Sequence, residues 1–455
     1  MGLTWDLGVT HSNGDQINNS TNVFFTDSGR TVSLDQNSRT SDNNINNNLS
    51  LNISRTISKH FTAIFNYAFT QSLNNSGRDT YNYNRLSGKH DLLDSLYSVH
   101  NRYTNVTHLP TASIGYQTGN WSAELGAGFR HINQINTIVW KDSLIKLVQN
   151  NLNPRLTLSK RFAKNSMWIL NYTVNADQPS SDQLAPVQDN TNPLYIKVGN
   201  PYLKTSLTHN IQTQLASFTR DYKWRLMISG GAAVTTNQIV NDTYYDQLGR
   251  QITGYVNTDG NNAFNVNVNT GTRFKMQEWN LDIGLNATVS SSHSSGFTNH
   301  KENVSNNNRV SPEINLALSY KRLLMLYTNA GIDINATSYS LAGAHDINYN
   351  TRRALIALHS SPVKRLIVNS SLNYFYNSQL PDGFQKSRAM INASVNYNFL
   401  KSEKLSVGVS VVDLLNNNVN INRTVTPNVI ETTQSTTLKR YAMVNMAYRF
   451  NTFRG

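Results

Sequence analysis

The chain reads as an all-β protein, a transmembrane antiparallel up-and-down β-barrel of about 18 strands. Three observations predict it: apolar residues alternate with Asn, Ser, Thr and Gly along the whole chain, the alternating segments are long, and their connections alternate short and long. Trp121, Ala123, Leu125, Ala127 and Phe129 interleave with Ser122, Glu124, Gly126, Gly128 and Arg130. Trp279, Leu281, Ile283, Leu285 and Ala287 interleave with Asn280, Asp282, Gly284, Asn286 and Thr288. Phe264, Val266 and Val268 repeat the pattern, as do Ile391, Ala393, Val395, Tyr397 and Phe399. Successive side chains of a strand point to opposite faces, so each segment has one apolar face and one mostly uncharged polar face.

A soluble β-sandwich alternates too, so length and connection pattern decide. The segments run to about 9–12 residues, enough for a tilted strand to cross hydrocarbon, whereas soluble strands average about 5–6. Aromatics gather near segment ends, Trp121 with Phe129, Phe61 with Phe69 and Trp168 with Tyr172. Amphipathic rings favour the two lipid–water boundaries. Short turns are expected around 58–60, 118–120, 163–165, 219–223, 276–278, 321–322, 361–364 and 400–403. Long polar stretches lie at 10–47, 72–102, 134–149, 178–203, 237–260, 292–309, 338–347, 378–386 and 414–436. Such parity is that of short periplasmic turns and long extracellular loops. The last segment, with Ala442, Val444, Met446, Tyr448 and Phe450 on one face, fits a closing barrel strand.

Composition agrees. Only 38% of the 455 residues are hydrophobic and 15% charged, yet Tyr 22, Phe 16 and Trp 6 argue against disorder. Something must cover that aromatic surface, and one barrel domain over 1–455 accounts for it. Cysteine is absent, which excludes disulfides, thiolate zinc sites and thiol nucleophiles. No run of 18 apolar residues offers a transmembrane helix. Met1-Gly2-Leu3-Thr4-Trp5-Asp6 enters a strand pattern directly, without the n-region and h-region of a signal peptide. The net charge is +13, but the cations are scattered, several in short turns, such as Lys59, Lys164, Arg220, Lys321, Arg322 and Lys364. That distribution suits a solvated rim and not a nucleic-acid-binding face.

The chain carries no nucleophile elbow, no His-Glu-x-x-His helix and no phosphate loop, so no enzyme, cofactor or metal is expected. His90, His100 and His108 lie in or near one expected loop, without a ligand spacing, and read as solvated. Tyr244 and Tyr245, beside Asp242 and Asp246, lie in another expected loop, and Tyr195 and Tyr202 in a third. These four tyrosines are the ligand-binding candidates, since stacked rings grip a sugar or an aromatic chelate; interface anchoring is the competing reading.

Two segments carry a family resemblance. One is Gln178-Pro179-Ser180-Ser181-Asp182-Gln183-Leu184, then Asn192-Pro193-Leu194, Gly199-Asn200-Pro201-Tyr202-Leu203-Lys204 and His209-Asn210-Ile211. The other is Val412-Asp413-Leu414-Leu415-Asn416-Asn417 with Arg440-Tyr441 and Tyr448-Arg449-Phe450. Together they resemble the barrels of TonB-dependent receptors, in particular the outer-membrane β-barrel family of Bacteroidota. Read on its own chemistry, Gly199–Pro201 is punctuation that starts a strand.

The resemblance implies an outer-membrane location in a Gram-negative bacterium and import of a bulky nutrient such as a siderophore, glycan or peptide. It implies as partners the membrane lipid, that extracellular ligand and the TonB complex. It also implies about 22 strands around an N-terminal plug, with a TonB-contacting segment ahead of it. Neither plug nor contact segment is visible, so the expectation is a partial barrel lacking the plug and first strands. Alone it would have to close with 3–9 against 440–450 and would show no energy-dependent uptake. The rival readings are a plugless passive channel or structural barrel, and a secreted Asn-rich adhesin. A solenoid adhesin would need a fixed repeat, which the chain lacks.

Overall fold

The computed structural model describes residues 8–25, 31–139, 143–184, 189–192, 195–221, 223–246, 250–400, 403–425, 430–435 and 437–450. Its strands are β1 (Gly8–Phe25), β2 (Thr31–Thr56), β3 (Phe61–Asn84), β4 (Lys89–Leu93), β5 (Val99–Thr118), β6 (Trp121–Ile138), β7 (Ser143–Ala163) and β8 (Ser166–Asp177). After the single turn α1 (Ser181–Leu184) come β9 (Asp189–Asn192), β10 (Tyr195–Lys197), β11 (Ser206–Phe218), β12 (Trp224–Thr236), β13 (Gln238–Tyr245), β14 (Gln251–Thr258) and β15 (Asn261–Met276). Then follow β16 (Trp279–Thr298), β17 (Lys301–Tyr320), β18 (Leu324–Tyr339), β19 (Ile347–Ser360) and β20 (Leu366–Asn377). The last are β21 (Ser387–Phe399), β22 (Leu405–Val412), β23 (Asn420–Val425), β24 (Ile430–Ser435) and β25 (Tyr441–Tyr448).

Eighteen of these strands form one antiparallel meander, each paired with the next: β1, β2, β3, β5 to β8, β11, β12, β15 to β22, and β25. The seven others decorate its connections. At the ends β1 pairs β2 and β25 pairs β22, and among the described residues no pairing joins β1 to β25. The expected closure of 3–9 falls largely outside the described residues.

The eight expected short turns lie at the breaks 57–60, 119–120, 164–165, 219–223, 277–278, 321–323, 361–365 and 400–404. The expected long loops are in large part strand. Residues 10–47 are mostly paired strand, with Asn13 against Asn43, Ile17 against Arg39 and Phe25 against Thr31. Meander strands reach 26 residues in β2 and 24 in β3, well beyond a membrane crossing. Hairpins that leave the membrane keep pairing because each backbone donor and acceptor still needs a partner. Polar side chains add cross-strand bonds there, such as Asn47 Nδ2 to Gln71 Oε1 at 2.9 Å. Alternation fades once no face is apolar, which is why these stretches resemble loops in sequence.

Registry puts the apolar residues of neighbouring strands on one face. Leu125 lies between Ile114 and Leu156, and Ile283 faces Leu316. Leu125 is 65% exposed and Leu285 53%, a surface that lipid covers. Aromatics ring its short-turn end: Phe61 with Tyr116 at 4.9 Å, Trp279 with Tyr320 at 4.6 Å, Tyr397 with Phe399 at 4.7 Å. Lys160 Nζ sits 4.6 Å above the Trp121 ring. Eight positions along β3 from Phe61, Phe69 packs on His108 at 5.2 Å, and the Tyr67 hydroxyl bonds His108 Nδ1 at 2.8 Å. At ~3.3 Å per residue and ~40° of tilt that separation is ~20 Å, close to the height of an apolar barrel band.

The opposite face is polar and self-paired. Asn267 Nδ2 donates to Asn286 Oδ1 at 2.9 Å and Thr288 Oγ1 at 2.8 Å. Arg155 bridges Glu124 at 2.7 Å and Ser113 at 3.0 Å. Gly126 is required there, since a Cβ on it would lie 2.6 Å from Ser113 Cβ and 2.9 Å from the Ala112 carbonyl oxygen. Arg309 and Arg353 both hold Asp333, and Arg353 also reaches Glu313 at 3.0 Å. Charges buried against a barrel interior persist where they are paired in this way.

Candidate functional site

A barrel wall one residue thick has no dry interior of its own, and the fully buried side chains cluster elsewhere. Ile132, Ile138, Leu184, Ile196 and Leu203 are all at most 2% exposed, and Ile252 and Tyr97 are 6% exposed. They come from the long-loop half of β6 and from three connections: 85–98, 178–205 and 237–260. These connections are bound to one another and to the wall at its long-loop end, as a cap.

Local chemistry shapes the first part. Ser180 and Gln183 cap α1 reciprocally: the Ser180 backbone N–H donates to Gln183 Oε1 at 2.9 Å, and the Gln183 N–H to Ser180 Oγ at 3.3 Å. Gln134 Nε2 donates to the Pro179 carbonyl at 3.3 Å, and Asn105 Nδ2 to Gln178 Oε1 at 3.3 Å. Both anchors lie on the lumen face of β5 and β6, in the row where Asn105 opposes Gln134. Residues 178–184 therefore turn inward against the barrel wall.

The motif Gly199-Asn200-Pro201 does more than punctuate. The Asn200 N–H donates to the Gln183 carbonyl at 2.6 Å, and Asn200 Nδ2 to the Tyr255 carbonyl at 2.9 Å. The motif thus ties α1 to the β13–β14 hairpin. Arg250 ties that hairpin to the third connection, reaching Asp246 at 2.7 Å and the Tyr97 hydroxyl at 3.1 Å. Burial pulls the Arg250 pKa down, and the hydrogen bonds it donates to Asp246 and Tyr97 more than reverse it, leaving it above the ordinary value.

The candidate tyrosines lie in or beside this cap, and three are in strands where loops were expected. β10 runs parallel beside β14, and β13 runs antiparallel on its other side. Tyr195 and Tyr245 both register against Gln251, so they share a face about two strand spacings, ~10 Å, apart. They are 50% and 42% exposed. Tyr244 belongs to the opposite row with buried Ile196 and Ile252, and its ring packs on His300 at 4.5 Å. Asp242 accepts from the His300 backbone N–H at 3.2 Å and also bonds its Nδ1. Tyr202, 87% exposed, stands apart, its N–H held by Asn200 Oδ1 at 2.9 Å.

Sequence reading overlooked Gln251, Ile196 and Ile252. One signal for the hairpin exists: Gln238–Tyr245 and Gln251–Thr258 alternate around Asp246-Gln247-Leu248-Gly249, a turn-forming run. The histidines each have a separate partner, His90 with Asp35 at 2.8 Å, His100 with Asp79 at 2.9 Å and His108 with Tyr67 at 2.8 Å. Among the described residues no cluster of His, Asp or Glu suits a metal ion.

The profile of the outer membrane protein beta-barrel family matches residues 2–302 and 294–448. The chain belongs to that family. This outer-membrane barrel therefore sits in the outer membrane of a Gram-negative bacterium, with its short turns in the periplasm and the cap at the extracellular mouth. Its fold is similar to that of the copper transporter OprC, at 9% identity and TM-score 0.42, over 96% of this chain and 83% of that one. The siderophore receptor PirA from Pseudomonas aeruginosa aligns at 12% identity and TM-score 0.33, over 96% and 80%. The outer membrane transporter YddB from Escherichia coli aligns at 10% identity and TM-score 0.37, over 98% and 73%. A search of curated proteins finds no match. These distant likenesses say nothing of a ligand.

Proposed function

We propose that this barrel is the pore of a TonB-dependent receptor, of the Bacteroidota type, that captures a bulky nutrient outside the cell. The observation that carries the reading is the cap. Three connections bound to one another at the long-loop end leave Tyr195 and Tyr245 uncovered, where a simple pore needs only an open entrance. The cap binds, the Asn-rich lumen passes the ligand, and the TonB complex supplies inner-membrane energy through a segment of the receptor outside these strands.

Barrels of about 16–18 strands include open porins, so the eighteen-strand meander also favours a passive channel. Uptake separates the two. Cells expressing the protein are given a labelled neutral oligosaccharide or a ferric catecholate chelate, with and without a protonophore. Accumulation that collapses with the proton gradient is expected; uptake indifferent to the gradient makes this a passive channel.

A further inference from the structure

A polar trough of about 440 Å³ opens where β13 meets the outer ends of β16, β17 and β18. Its volume is within the range of ligand sites, ~300–1,000 Å³. The trough exists because β15 begins pairing with β16 only at His293, further down. Beyond that point β13 takes the neighbouring seat, with Asp242 and Thr243 parallel to Phe297 and Thr298. The tip of the β16–β17 hairpin is pinned there: Asn299 and His300 turn the chain at φ 50° and 61°, and His300 is held by Asp242 and by the Tyr244 ring.

We infer that this trough is a subsite for a neutral carbohydrate. The inference rests on the receptor reading above and supplies its ligand class. Although the chain carries +13, no Lys, Arg, Asp or Glu lines the trough. Its polar groups are amides and hydroxyls, among them Gln238, Asn241, Thr243, Asn303 and Tyr339, with Phe297 beside them. Among the described residues, the side chains of Gln238, Asn241 and Thr243 and the Tyr339 hydroxyl make no hydrogen bond, so they are free to serve a ligand.

An anionic chelate or phosphate leaving water needs cations or charge-assisted donors, and a metal ion needs carboxylates or imidazoles; neither lines the trough. A sugar hydroxyl both donates and accepts, as an Asn or Gln side chain does, and the C–H face of a sugar ring packs on an aromatic face. On the lumen face the trough offers hydroxyls and the Tyr339 ring, since Ser294, Ser305 and Tyr339 share the parity of Asn286 and Glu313. A ligand held there stands at the entrance to the lumen.

The test is binding to the full-length protein purified in detergent, by calorimetry. The probes are neutral α-glucan, β-glucan and mannan oligosaccharides, with a ferric catecholate chelate and an unmodified peptide as comparators. At least one neutral oligosaccharide should bind. The double variant Gln238→Ala/Asn241→Ala should weaken that binding tenfold or more, and Thr243→Val and Tyr339→Phe severalfold each. The two conservative variants keep the test intact should the double variant fail to insert. The inference is overturned if no neutral oligosaccharide binds, if only the chelate or peptide binds, or if glycan binding ignores the substitutions. Binding is read without transport, so gradient-independent uptake would remove the receptor reading and leave the subsite standing. Gradient-dependent uptake of another probe, with no glycan bound, would do the reverse.

Discussion

The periplasmic rim of this barrel is built from neighbours in sequence, and the extracellular rim from residues far apart. At the periplasmic end, turns such as 119–120 and 277–278 join adjacent strands, and rings a few residues away, such as Trp121, Trp279 and Tyr320, mark the membrane boundary. At the extracellular end, Asn200 binds Tyr255 and Arg250 binds Tyr97, 153 residues away. One rim needs only turn chemistry and the pull of lipid on aromatic rings. The other needs a small apolar core, and it can therefore adopt a specific shape for a ligand while the wall beneath stays generic.

The largest effect should come from that core. Ile196 is fully buried between β9 and β14, and truncating such a side chain costs about 2–5 kcal/mol. Ile196→Ala should loosen 178–205 and 237–260 together, exposing both to protease, while unfolding of the barrel itself keeps its midpoint. Cleavage confined to one of the two segments, or a fall in the barrel midpoint as large as the cap's, would show that the cap is not a separate unit.

The wall between the rims gives the next effect. Ile283 lies in the apolar row with Leu316, and Asn286 in the polar row with Asn267 and Glu313. Ile283→Arg should cost about 2–4 kcal/mol at the bilayer midplane, while Asn286→Arg on the lumen side is tolerated. Urea unfolding in lipid vesicles reads both, and equal losses would reverse or erase the face assignment.

Legibility in the sequence follows the same division. Ile283, Trp279 and Asn286 were placed correctly from alternation alone, because lipid on one side and polar lumen on the other impose a period of two. The eight turns were visible because each interrupts that period. Ile196 was not, since it stands in a three-residue strand whose partner Ile252 is 56 positions away, and no local period links them. The tyrosines show the intermediate case. Their residue type marked the cap, but the pairing of Tyr195 with Tyr245 across Gln251, and the separation of Tyr244 from them, depend on strand registry that composition cannot supply. The strands outside the membrane were mistaken for loops for the same reason: Asn13 and Asn43 pair without any apolar face to announce it.

The smallest effect belongs to a single periplasmic turn, and it tests how local that rim is. Asp221 accepts from the Thr219 hydroxyl at 2.8 Å and the Lys223 backbone N–H at 3.2 Å, with Lys223 Nζ 3.1 Å away. The Thr219 hydroxyl first, then Lys223, pushes its pKa from 3.8 down to about 2. A carboxyl whose pKa is lowered by folding stabilises the fold fully above its unfolded value of 3.8 and loses that contribution as pH falls through about 2. The group is fully exposed, so water and salt screen the gain. Asp221→Asn keeps an acceptor oxygen and removes the charge. It should lower the urea midpoint slightly at pH 7, and the two proteins should converge as the pH approaches 2. Cap protection against protease should be identical in both, because nothing in this turn reaches the extracellular end. A gap that widens in acid would mean the carboxylate is not the favoured form, and a cap that loosens would mean the two rims are coupled through the wall.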